Sequence, residues 1–158
     1  MTNDVGLLPC VDGGVTVGFT KSHHANDIGW YKKQFVPVMA WQDGKVIKAW
    51  TTANGGDMGN AVLLEHYYGN QKRWSIYMHL RDVPKVRVGQ EVKMGDALGV
   101  RGNTGYSHGV HLHFAISDLV DKNYAYSYSR FYNACTRDPM EFCYVDDKHD
   151  WSNYIDPK

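Results

Sequence analysis

Excess charge of either sign is missing from this sequence. Seventeen Lys and Arg residues balance seventeen Asp and Glu, so the 158-residue chain has no net formal charge. No global field therefore favours nucleic acid or an anionic membrane surface, and any partner must be recognised locally. No segment approaches the ~20 consecutive apolar residues that cross a bilayer, so membrane insertion is not expected. The opening "MTNDVGLLPCVDGG" has no basic leader followed by a roughly 7–15-residue apolar run, so it does not read as a secretory signal peptide. If the protein works outside the cell, it leaves by another route or its signal has been removed. Cysteine is scarce as well: there are three, none in a C-x-x-C pattern, and they argue against a cysteine metal site. At least one is unpaired, while Cys135 and Cys143 are close enough in sequence for a bridge. Before residue 118 there is no helical apolar period longer than about two turns.

What is present is the vocabulary of short strands and tight turns, with sixteen glycines and an aromatic content of 13%. The length suits one domain that buries about 68–70% of its unfolded surface without disulfides. Residues 35–50, "FVPVMAWQDGKVIKAW", read as two strands of a hairpin joined around Asp43-Gly44, with Pro37 at an edge or a strand start. "AVLLEHYY", the turn "GNQKR" and "WSIYMHL" read as a second hairpin. In its last strand Trp74, Ile76, Met78 and Leu80 share one face, and Ser75, Tyr77 and His79 share the other. Glycines at 89, 95, 99 and 102 break the next segments into short pieces. The expected fold is mainly β, with antiparallel sheets in one compact domain.

The stretch "GYSHGVHLHFAIS" carries the chemistry. Along a strand, His111, His113 and Ala115 point one way while Leu112, Phe114 and Ile116 point the other. The second set can join a core, but packing does not require two imidazoles side by side. A catalytic zinc takes three protein ligands and leaves a fourth position open. His113 is one candidate, and "KSHHANDIGW" offers His23 and Asp27 four residues apart, a spacing that returns to nearly the same side of a strand or helix. Two imidazoles and one carboxylate leave a zinc site with net positive charge, which makes hydroxide available near neutral pH. His79 and His111 then stand beside the metal as candidates for proton transfer or oxyanion binding.

"HHAND", "YMHL" and "GVHLHFAI" resemble, in order, the His-x-x-x-Asp, Tyr-x-His-Leu and His-x-His motifs of lysostaphin/LytM-type zinc metallopeptidases, which cleave peptide bonds in bacterial peptidoglycan. "PVMAWQDGKVIKAW", "GNAVLLEHYYG", "VRVGQEVKMGDALGVRGNTGYSHG" and "RDPMEF" are similar to that family's strands, glycine turns and closing Asp-Pro segment. The resemblance covers roughly residues 16–142. It implies the glucose-permease-like fold with a metal-holding groove, one Zn2+ bound by His23, Asp27 and His113, and a catalytic pair of His79 and His111. Within that pair it favours His111 as general base and His79 as transition-state stabiliser. It also implies a monomer acting on peptidoglycan peptides, outside the cell or in the periplasm and cell wall. With no signal peptide in the chain, that fits a phage-encoded or virion-associated lysin, or a trimmed secreted enzyme. Ala25 departs from the family's His-x-Gly-x-Asp form. Residues 119–134 look inserted, between a lead-in of residues 1–15 and a polar tail of residues 143–158.

His66, His108 and His149 read as hydrogen-bonded structural residues, and His24 would break the spacing to Asp27 if it replaced His23. Tyr124, Tyr126 and Tyr128 share a strand face, suited either to packing or to stacking on substrate. The segment "DDKHD" at 146–150 reads as solvated. Two rival functions remain: a non-catalytic module that binds peptidoglycan or regulates another wall hydrolase, and a phosphocarrier. The first usually lacks a ligand, and none is lacking here. The second conflicts with Asp27, whose carboxylate repels phosphate.

Overall fold

Alternation between apolar and small or polar side chains over residues 60–80 builds the longest ladder of the protein. In this computed structural model, which describes residues 5–10, 12–68, 70–117 and 138–144, β6 (Asn60–Tyr68) and β7 (Gln71–Leu80) pair antiparallel. The strand resumes at Gln71, inside the stretch read as a turn. The inserted segment 119–134 with its tyrosines, Cys135, His149 and the 146–150 run lie outside the described residues.

This hairpin is the middle of a seven-stranded sheet. On one side β7 pairs with β10 (His111–Ser117), then come β3 (Asn26–Gly29) and the edge strand β2 (Val15–Val17). On the other side β6 pairs with β5 (Gly44–Trp50), and β5 with β8 (Glu91–Val92). Each neighbouring pair in this sheet is antiparallel. Two small sheets complete the described fold: β4 (Pro37–Met39) with β9 (Ala97–Val100), antiparallel, and β1 (Gly6–Leu7) with β11 (Cys143–Tyr144), parallel. β1 belongs to the stretch read as a lead-in and β11 to the start of the stretch read as a tail. The Trp41 indole N–H ties this region to the core by donating to the Phe142 carbonyl at 2.8 Å. Among the described residues no helix is long and apolar enough to cross a membrane.

Leu112, Phe114 and Ile116 enter the larger apolar cluster as their alternation predicts, together with Val62, Leu64, Tyr77 and Trp41. Burying such side chains is worth about 1.5–3 kcal/mol each. The opposite face of the sheet carries a smaller cluster that includes Ala25, Ala61, Leu63, Trp74, Ile76, Met78 and Ala115. Ala25 is fully buried there, so the methyl group that replaces the family's glycine hydrogen has a packed place.

Two readings from the sequence need correction. Residues 35–50 do not form a hairpin: β4 pairs with β9, whereas β5 pairs with β6 and β8. Asp43-Gly44 carries the chain from one sheet to another, and Gly44 is not among the positive-φ glycines. Distant partners fix this corner, since Ala40 N–H donates to Asp96 O, Met94 N–H to the Asp43 carboxylate and Trp41 N–H to Tyr77 Oη. Nor does β7 keep its alternation to the end. Tyr77 and Leu80 both lie in the larger cluster, while Met78 lies in the other. The strand bulges between them, where the β6–β7 register shifts, and His79 takes φ 64°. An extra residue in one strand turns the side chains beyond it to the opposite face.

Candidate active site

β3 and β10 are neighbours with Asp27 directly opposite His113, which brings these two side chains together on the face away from the larger cluster. His113 Nδ1 lies 3.1 Å from Asp27 Oδ1. His23 arrives from the turn before β3, where Thr20 and His23 bridge through their backbones, and its Nε2 lies 3.3 Å from the same oxygen. The ligand atoms of His23, Asp27 and His113 all lie within 4.8 Å of one another. Zinc bonds of about 2.0–2.1 Å in tetrahedral geometry put ligand atoms on the order of 3.3 Å apart, so this set fits one ion after small adjustments.

The tautomer of His23 agrees with that use. A carbonyl oxygen can only accept, so His23 Nδ1 donates its proton to Gly18 O, 3.0 Å away, and Nε2 keeps a lone pair for a ligand. Fixing the second ring nitrogen in this way orients a ligating imidazole. Burial works to raise the Asp27 pKa, but the hydrogen bond from His113 and the charges of His113, His111 and His23 hold its carboxyl below the usual value. Burial also lowers the pKa of His113, which keeps the imidazole neutral, as a ligand must be. His24 turns away to stack on Phe19 and to hydrogen-bond with Lys21 O.

His79 and His111 stand beside this triad, their ring centroids 4.8 Å apart. The His79 ring also lies 6.0 Å from His113. Each holds its Nδ1 proton on a carbonyl: His79 donates to Thr104 O at 2.8 Å, and His111 to Gly109 O at 2.8 Å. Both Nε2 atoms are therefore acceptors in the neutral rings. Desolvation, with help from the charges of His111 and His113, pushes the His79 pKa down to about 4. Simple alternation would have put His79 with Ser75 and Tyr77 on the wrong side of the sheet, and the bulge is what brings it to the site.

These groups open onto a groove of about 630 Å3, whose walls include Trp30, Asp57, Met58, Tyr106 and His108. His108 lies at the groove with its ring edge against Tyr106. His66 is the buried structural residue expected, bonded to Asp43 O and Ser75 Oγ on the far face of the sheet. The loops at 56–59 and 103–109 supply much of this groove wall, and nothing in their composition announces that role. Cys143 is a free thiol that donates to Pro139 O.

Comparison with known proteins agrees with this geometry. The model of "Peptidase family M23" matches residues 21–125. The glycyl-glycine endopeptidase ALE-1 of Staphylococcus capitis is 35% identical over 130 residues, covering 82% of this chain and 32% of that protein. The murein hydrolase activator NlpD of Salmonella dublin is 36% identical over 108 residues, covering 66% of this chain and 26% of the relative. The chain thus spans a third or less of these two relatives. Among solved structures, the catalytic domain of the antimicrobial peptidase lysostaphin from Staphylococcus simulans aligns with TM-score 0.55 and 31% identity, covering 84% of this chain and 88% of that domain. With a mainly β fold like lysostaphin's and a family match across most of its described residues, this chain belongs to peptidase family M23.

Proposed function

We propose that this protein is a zinc-dependent metalloendopeptidase that hydrolyses peptide bonds in the stem or cross-bridge peptides of bacterial peptidoglycan. The observation that carries the reading is the convergence of His23 Nε2, Asp27 Oδ1 and His113 Nδ1 beside two further histidines that present Nε2 to the same groove. Its relatives include a protein named as an endopeptidase and an antimicrobial peptidase; on the same reading we infer that it acts as a monomer, outside the cell or in the periplasm and cell wall.

His23, Asp27 and His113 would hold the ion, which when bound supplies a Lewis acid and an acidified water at neutral pH. The protein's own groups manage the protons. His111 Nε2 is the acceptor for a proton from the attacking water, and its Nδ1–H stays on Gly109 O throughout. The imidazolium formed can return that proton to the departing amine. His79 holds its own Nδ1 proton on Thr104 O, so its Nε2 is an acceptor and can steady the tetrahedral intermediate by accepting a hydrogen bond from the hydroxyl that the attacking water leaves on it. The roles of base for His111 and stabiliser for His79 suit this arrangement, since one ring passes a water proton to the amine while the other only accepts a hydrogen bond. Asp57 and the aromatic rings of Trp30 and Tyr106 form groove walls that a peptide would contact.

The test is mass spectrometry of muropeptides released from purified peptidoglycans of several cross-link types, with zinc-loaded and chelated protein. New amino termini that depend on zinc support the reading. Absence of new termini from every wall type, with zinc bound, refutes it and leaves a regulatory module of the kind NlpD's name describes. In the same assay His113→Ala should lose zinc and activity together, whereas His111→Ala should keep zinc and lose turnover.

A further inference from the structure

Among the described residues, His79 is the one non-glycine residue with positive φ, at 64°. That left-handed conformation is costly for an L residue with a side chain, and it persists only where surroundings over-determine it. The surroundings converge on one residue. Thr104 Oγ1 donates to the Leu80 carbonyl at 2.6 Å and accepts from Asn60 N–H at 3.1 Å. The Thr104 carbonyl accepts the His79 Nδ1 proton at 2.8 Å. Asn60 adds a second hold, since its side-chain amide donates to Leu80 O at 3.1 Å and its oxygen accepts from Thr52 N–H at 2.9 Å.

We propose that Thr104 is a positioning residue for His79, clamping the bulge through its hydroxyl and fixing the imidazole tautomer through its carbonyl. The two contacts do different work. The hydroxyl bridges β6, through Asn60, to the residue after the histidine, so it holds the backbone turn that moves the ring off the core face. The carbonyl selects the tautomer with hydrogen on Nδ1 and leaves Nε2 as an acceptor toward the groove and His111. Thr104 itself is held from the other side, because Gly59 and Gly105 pack tightly against it and its neighbours. A Cβ on Gly59 would lie 2.4 Å from Thr104 Oγ1, and one on Gly105 would lie 2.4 Å from Asp57 O. The groove wall and the histidine are thus joined at one threonine.

The experiment compares Thr104→Val, which keeps the shape and the carbonyl but removes the hydroxyl, with Thr104→Ser, which keeps the hydroxyl. In zinc-loaded, folded protein, long-range proton–nitrogen NMR of the His79 ring should report one Nδ1–H tautomer in the wild type and in Thr104→Ser, and a mixture in Thr104→Val, where the unclamped bulge lets the ring move off the Thr104 carbonyl. Turnover should fall roughly 10- to 100-fold in Thr104→Val, as expected for a displaced group, with KM and zinc affinity little changed and with recovery in Thr104→Ser. An unchanged His79 tautomer in folded Thr104→Val overturns the proposal, as does wild-type turnover in that variant. A Thr104→Val protein that fails to fold moves the same comparison to Thr104→Ala, which also removes the hydroxyl and keeps the carbonyl; an unchanged tautomer there also overturns it. The kinetic arm rests on the peptidase reading, but the NMR arm does not. If no peptidoglycan peptide is cut, that reading fails while the tautomer still decides this one.

Discussion

Acid should unfold this protein partly through His66, a residue far from the catalytic groups. His66 is 1% exposed, lies edge-on to Trp41 and is hydrogen-bonded to Asp43 O and Ser75 Oγ. Burial pushes its pKa down to about 4 from the ordinary 6.5, against smaller opposing contributions from Asp43 and Glu65. The unfolded chain therefore binds a proton that the folded chain refuses between those two values, and stability falls as pH drops through that window. At 1.36 kcal/mol per unit the loss amounts to about 2 kcal/mol at pH 5 and about 3 kcal/mol at pH 4, relative to pH 7.5. The assay is urea denaturation from pH 7.5 to pH 4, comparing the wild type with His66→Gln in the presence of a chelator. The variant starts less stable, because one of its buried hydrogen bonds is lost, but its stability should fall with acid by about 3 kcal/mol less. Equal pH dependence in the two proteins would refute the reasoning, since it would mean that His66 titrates alike folded and unfolded.

Arg101 is fully buried and donates to Asp12 O, the Asp12 carboxylate, Gly29 O, Lys33 O and Gln34 O. Arg101→Met should cost about 3–5 kcal/mol by denaturant unfolding, because it leaves several buried carbonyls without their donor and breaks a buried ion pair; a loss below about 1 kcal/mol would show that the network is dispensable. Gly105 has φ 74°, and a Cβ there would lie 2.4 Å from both Asp57 O and Gly59 N. Gly105→Ala should lose about 2–5 kcal/mol, the left-handed penalty plus overpacking, and should slow turnover by parting the two groove loops. Thermal unfolding and muropeptide release measure the two effects.

The alternation in "HLHFAI" placed both the core residues and the groove-facing histidines, because a strand with one fully apolar face has only one register that buries it. Asp27 and His23 were legible from their spacing and their motif. His79 was found by motif but placed on its strand by a rule that its own backbone breaks. A single left-handed residue reverses the faces beyond it, and histidine does not advertise that conformation as glycine does. The Asp43-Gly44 corner misled for a related reason: the dipeptide permits a hairpin, but Asp96, Met94 and Tyr77, far along the chain, supply its partners. Thr104 left no trace at all, since its role depends on three contacts that only the folded chain assembles.

The direct opposition of His113 and Asp27 on adjacent strands would tie the affinity of the proposed metal site to strand alignment. If β10 slipped against β3 by one residue, Leu112 or Phe114 would face Asp27 and both imidazoles of β10 would turn toward the apolar cluster. No ion could then be held by that pair. Whatever binds the triad stabilises the correctly aligned sheet and none of the slipped ones, by an amount set by its concentration over its dissociation constant. An ion held there would thus proofread the assembly of the sheet, selecting the one alignment of these strands in which the proposed chemistry is possible.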